Sequence, residues 1–187
     1  MHDWRSNFES VGAAARPFSP PARLSVIGIM VLACVSLATI QVVAPTPSLI
    51  WNASASAPIG LYWVREDHVV ERGNLVLAWL PDTARIRAAE RSYLPSNTPA
   101  VKRVAALDGD TVCVRNSSIM INERTVARAL PADHAGRPLT VWWGCRALEG
   151  DEIFLLNEGS AASFDGRYFG PSRRRDIIGR LAPLWTF

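Results

Sequence analysis

Ser54 and Ser56 stand in a run of small residues, NASASAPIG over positions 52–60. Small neighbours leave backbone N–H groups open, as a nucleophilic hydroxyl and the pocket for its oxyanion require. The same composition fits an ordinary serine-alanine loop, so the segment alone decides little. Lys102 adds weight: among twenty basic side chains it is the only lysine. Arginine stays protonated in practice, whereas a desolvated lysine amine loses its proton and becomes a general base. Lys102 lies near the start of the apolar run 101–107, and strand alternation sends Arg103 to the opposite face. To be half neutral near pH 7 the amine must drop by about 3 pKa units, roughly 4–5 kcal/mol of differential solvation. A serine hydroxyl within reach of such an amine forms a Ser–Lys dyad, in which nitrogen takes the proton as oxygen attacks a carbonyl. Residues 162–180 add Ser163, Asp165 and Arg167, alternating in a glycine-bounded loop. Asp165 and Arg167 are spaced for a supporting ion pair, and Ser163 could orient the amine. The plainer reading is a solvated loop with a surface salt bridge.

These segments need a scaffold. After position 45 the chain reads mostly β. Residues 61–65, 74–80, 101–107, 111–115, 119–122, 141–145, 153–156 and 177–181 are strand-like. A hairpin is expected across Asn116-Ser117-Ser118. Residues 83–94 are rich in alanine and arginine, with Thr83 as a possible cap and Pro95 as a stop, so a short helix is expected there. Residues 130–140 and 157–175 read as loops. Parallel βαβ repeats are missing, which argues against a doubly wound fold.

Residues 24–44 carry no charge. About 20 such residues span a bilayer core as a helix, so a retained transmembrane anchor is expected; a cleavable leader is the rival. Arg5, Arg16 and Arg23 precede it, against Asp3 and Glu9. The positive-inside bias then puts the polar arm 1–23 in the cytoplasm and 45–187 outside the membrane. Cys113 and Cys145 fall in that exterior part, and Cys34 within the span. An oxidising compartment permits a Cys113–Cys145 bridge, with two free buried thiols as the alternative. The net charge of +3 is mild, and the run Arg173-Arg174-Arg175 lacks interleaved aromatics, so nucleic acid is not an expected partner. No metal-ligand spacing is present among the three cysteines and three histidines, and neither metal nor cofactor is expected.

The segments SASAPIGLY, KRVAALDGDTV and SFDGRYFGP, in this order after an apolar segment, resemble the serine, lysine and C-terminal boxes of the type I signal peptidase family. The similarity is closest to its TraF-type conjugative branch. WWGCRALEGDEIFLLN and IIGRLAPLW extend it over 50–187. The resemblance implies a mainly β fold: a compact antiparallel β domain of the signal-peptidase type with one short helix, preceded by one transmembrane helix. It implies Ser56 as nucleophile, Lys102 as general base, Ser54 in the oxyanion pocket, Ser163 holding the amine, and Asp165 with Arg167 in support. Where the wider family has methionine after the serine, this chain has Ala57 followed by Pro58; Gly166 stands where serine is common. The register of the serine box therefore leaves Ser54 as the alternative nucleophile. The activity implied is an inner-membrane serine endopeptidase facing the periplasm. It would cut an exported, pilin-like precursor after a small residue, in contact with conjugation or type IV secretion machinery. The alternatives are a non-catalytic structural component of such an apparatus and a housekeeping signal peptidase.

Overall fold

The computed structural model describes residues 20–42, 48–66 and 69–187, and the chain divides into two units, 1–45 and 46–187. The first unit contains helix α1, Pro20–Val42. The side chains described in it, those of residues 25–36, are exposed. That stretch is about 18 Å long at 1.5 Å per residue. Among the described residues no helix is long and apolar enough to cross a membrane. The expected arm up to position 19, the last two residues of the expected anchor, and the connection holding Pro45 and Pro47 lie outside the described residues.

The second unit is mainly antiparallel β. In chain order it contains β1 (Leu49–Asn52), β2 (Gly60–Arg65), β3 (Leu75–Ala78), α2 (Asp82–Glu90), β4 (Ala100–Ala106), β5 (Thr111–Arg115), β6 (Ser118–Ile121) and β7 (Arg124–Arg128). These are followed by β8 (Gly144–Ala147), β9 (Glu152–Leu155), α3 (Gly166–Phe169), β10 (Ser172–Arg173) and β11 (Ile177–Thr186). Among the described residues, one sheet runs β1-β2-β11-β3-β4-β9-β10 and a second β7-β6-β5-β8. Val104, Ile153 and Leu155 pack with Val76 and Ala78 in the larger sheet. Val112, Val114, Ile119 and Ile121 of the smaller sheet share a core with Ala106, Phe154 and Leu156.

The hairpin from β5 to β6 turns on Asn116 and Ser117, both at positive φ (49° and 64°), the conformation a two-residue turn between twisted strands demands. A second such turn at Asn122 and Glu123 (φ 47° and 67°) starts β7, a strand absent from the sequence reading because neither residue is glycine. Helix α2 stops at Glu90, short of the expected Leu94. Ser92 takes φ 58°, and the Tyr93 amide bonds back to the Ala88 carbonyl at 2.9 Å. The strand expected at 141–145 begins only at Gly144, because Trp142 leaves the ladder to donate its indole N–H to the Gly166 carbonyl at 2.8 Å. The expected loop 157–175 also contains α3, β10 and the start of a 3-10 turn, Arg174–Asp176.

Candidate active site

Lys102 sits at the third position of β4, paired in register with Val76 of β3. Ala100, Lys102 and Val104 face the interior, while Arg103 faces solvent. β4 lies between β3 and β9 in the sheet, and the lysine that it turns inward is 5% exposed. Burial holds its amine down, to about 8 from its ordinary 10.5; Asp165 pulls the other way by attracting the charged form, and Arg167 adds to the lowering. The amine donates to Ser163 Oγ at 3.0 Å. A neutral amine placed this way has its lone pair left over as an acceptor.

Ser163 is itself buried, and the loop that delivers it is pinned by the Asp165–Arg167 pair. Arg167 Nε donates to Asp165 Oδ1 at 2.8 Å and Nη2 to Oδ2 at 2.8 Å. The same guanidinium donates to the carbonyls of Ser160 (2.6 Å), Asn157 (3.1 Å) and Ala161 (3.3 Å). Asp165 also accepts from the Asn157 amide at 3.1 Å and caps α3 by accepting from the Arg167 amide at 3.2 Å. The solvated surface salt bridge is therefore not what forms: both side chains are inside, at 0% and 1% exposure.

Ser54 and Ser56 lie on the turn between β1 and β2. Their hydroxyl oxygens are 2.9 Å apart, and the Ser56 amide donates to Ser54 Oγ at 3.3 Å. No hydrogen bond joins Ser56 to Lys102; the lysine is bonded to Ser163 and the serine to Ser54. They meet instead across a cleft of about 880 Å³, which Ser54, Ser56, Lys102 and Ser163 all line together with Leu77 and Leu80. On its other side Ser56 borders a second hollow of about 500 Å³, walled by Arg103, Asn157 and Phe187. Cys113 and Cys145 are bonded, S–S 2.10 Å, as facing partners on β5 and β8 in the smaller sheet. Among the described residues no group of histidine, cysteine and carboxylate side chains is arranged to hold a metal ion.

Two asparagines escaped the sequence reading. Asn157 is buried and joins strand to loop, accepting from the Arg103 amide at 2.9 Å and donating to the Val101 carbonyl at 3.2 Å. Asn52, the last residue of β1, is 5% exposed and bonds to the backbone of the serine turn. Their partners are main-chain groups, so no spacing of side-chain types marks them. The available signal was position: Asn52 opens the small-residue run and Asn157 opens the long loop.

The family model described as "Signal peptidase, peptidase S26" matches residues 22–185. The chain is 35% identical over 146 residues to a plasmid transfer protein TraF of Escherichia coli, across 73% of this chain and 82% of the relative. It is 30% identical over 145 residues to the conjugal transfer protein TraF of Agrobacterium fabrum, across 73% and 81%. To signal peptidase I V of Bacillus subtilis it is 27% identical over 98 residues, across 47% and 58%.

Proposed function

The chain belongs to the signal peptidase family, peptidase S26, and from that premise we propose that it is a serine endopeptidase working through a Ser56–Lys102 dyad. One observation carries the reading: the single lysine is buried, with its amine held near 8, in a cleft whose wall also presents Ser56. An amine held near 8 is neutral in about a tenth of molecules at pH 7, far more than an ordinary lysine, and that fraction can act as a base.

A precursor strand enters the cleft with its scissile carbonyl at Ser56. Lys102 Nζ takes the hydroxyl proton while Oγ bonds to the carbonyl carbon. The negative charge that develops on the carbonyl oxygen is received by the Ser56 N–H and the Ser54 hydroxyl, which exchange their resting bonds for this one. The lysine ammonium returns its proton to the departing amine. Water then attacks the acyl-enzyme, with the neutral amine again as base. Ser163 keeps the amine aimed throughout. Ser56 borders both the cleft and the hollow beside Arg103, which leaves room for a substrate strand on either side of the nucleophile.

The signal peptidase family supports an exported precursor as substrate, and the relatives named for plasmid and conjugal transfer support conjugation machinery as the setting; a pilin-like precursor is the substrate we propose. The uncharged run 24–44 supports an inner-membrane anchor. The bonded Cys113–Cys145 pair supports an oxidising, periplasmic side for the β domain. The test is processing of a conjugative pilin precursor in cells, with Ser56→Ala and Lys102→Arg beside the wild type. Both variants should accumulate in the membrane and leave the precursor uncut. Arginine keeps the charge but cannot supply a neutral base, so near wild-type processing by Lys102→Arg refutes the dyad.

A further inference from the structure

We infer that Asn52 is the positioning residue of the serine turn: its side chain sets the backbone around Ser56 so that the Ser56 N–H faces the carbonyl under attack. This rests on the Ser56–Lys102 reading. Asn52 Nδ2 donates to the carbonyls of Ser54 (3.0 Å), Ala57 (3.2 Å) and Pro58 (3.0 Å), and Oδ1 accepts from the Ser54 amide at 3.1 Å. One buried amide thereby touches both ends of the turn. A trans peptide is rigid, with C=O and N–H pointing opposite ways. Drawing the Ser54 and Ala57 carbonyls onto Asn52 orients two peptide planes, and the plane that carries the Ser56 N–H lies between them. Tyr62, 1% exposed, seals the same point by donating to the Pro58 carbonyl at 2.6 Å.

The chemistry requires this residue type. Three carbonyls converging on one point need a donor, and a carboxylate there would repel them. An aspartate could still accept from the Ser54 amide, so Asn52→Asp removes the carbonyl clamp in an isosteric side chain. Asn52→Ala removes the clamp and the acceptor together. Because Asn52 neither touches Lys102 nor takes a proton in the mechanism, its loss should leave the titration of the base alone.

The experiment measures kcat, KM and the pH profile of the full-length enzyme in detergent on a purified conjugative pilin precursor. Asn52→Asp and Asn52→Ala should each lower kcat about 10²-fold, the scale of one lost oxyanion donor, with KM within about twofold; the pH midpoint should be unmoved in Asn52→Ala, while the carboxylate of Asn52→Asp, in the cleft that Lys102 lines, should if anything raise it. In the wild type, the Ser54 amide should exchange hydrogen at least about tenfold more slowly than an open loop amide. If wild type cuts and both variants keep kcat within threefold, the inference fails and the dyad stands. A raised KM with unchanged kcat, or a displaced midpoint in Asn52→Ala, also overturns it. If wild type leaves the precursor intact while Ser54 is protected, the functional reading fails and the clamp on the turn survives. If neither variant folds, the exchange measurement decides, and a freely exchanging Ser54 amide sinks the proposal.

Discussion

Arg167 grips Asp165 with two parallel bonds, Nε to Oδ1 and Nη2 to Oδ2, both 2.8 Å, with neither side chain in contact with solvent. The pair works as a bracket rather than as a charge store. Its remaining donors hold the carbonyls of residues 157, 160 and 161, so the segment leading to Ser163 has one shape.

Breaking the bracket should therefore be expensive. Arg167→Ala leaves a buried carboxylate without its partner, and removing one member of a buried pair costs about 3–5 kcal/mol. Arg167→Lys should recover little, because an ammonium cannot match the two-pronged geometry. Urea unfolding of the two variants checks this; Arg167→Lys within about 1 kcal/mol of wild type would show that charge alone suffices.

Processing should depend on pH through Lys102. Its amine is held near 8, and only the unprotonated form can take the serine proton. Rate should fall about tenfold per unit below that midpoint and level off above it. Asp165 acts on the amine by favouring its charged form, so Asp165→Asn should move the midpoint lower in whatever fraction remains folded. A kcat profile that rises only near 10.5 would mean the amine is solvated.

The same lysine makes stability rise with pH in a window where most proteins lose it. Below pH 8 the amine is protonated both folded and unfolded, and the folded state carries the full burden of the buried charge. Between about 8 and 10.5 the unfolded chain binds the extra proton, and folding free energy climbs by about 3 kcal/mol. Lys102→Met should abolish that slope and stabilise the protein at pH 7 by a similar amount while ending catalysis. Denaturant midpoints at pH 7 and 10 for both proteins are the check.

Reduction should weaken the fold without touching the chemistry. The bridge closes a loop of separation 32 in the smaller sheet, worth about 3–4 kcal/mol in the chain-entropy account. Cys145→Ser should melt earlier yet keep kcat at temperatures where it is still folded. Loss of kcat in folded Cys145→Ser would mean the smaller sheet reaches the site.

Gly166 should not accept the serine common elsewhere in the family. A Cβ there would lie 2.7 Å from the Phe154 ring and 2.8 Å from the Leu155 carbonyl oxygen. Gly166→Ser should lose about 1–3 kcal/mol by overpacking, and Gly166→Ser combined with Phe154→Leu should regain part of it, as measured by thermal unfolding.

Much of the site was legible because it is built on period-2 patterning. Lys102 inside and Arg103 outside follow from alternation on β4, and the order of the strands' apolar runs marks the sheet. What was not legible depends on partners far away in sequence. Residues 157–175 look like a polar loop, yet Arg167 is among the most buried side chains because carbonyls scattered over 128–161 converge on it. β1 is only Leu49–Asn52, and it is a strand because β2 pairs with it, not because four residues carry a pattern. The Ser163–Lys102 contact, by contrast, spans a separation of 61 and was expected from the pairing of the two motifs, since no local rule reaches so far.

The solitary lysine has an analytical consequence. Apart from the chain's amino terminus, an amine-selective reagent finds in this protein a single target, and that target lies in the cleft. Acylation or reductive alkylation at Lys102 therefore reports directly on cleft occupancy. Its rate as a function of pH titrates the amine without any turnover, and a bound peptide should block it. The composition of the chain has already removed the background that other lysines would give.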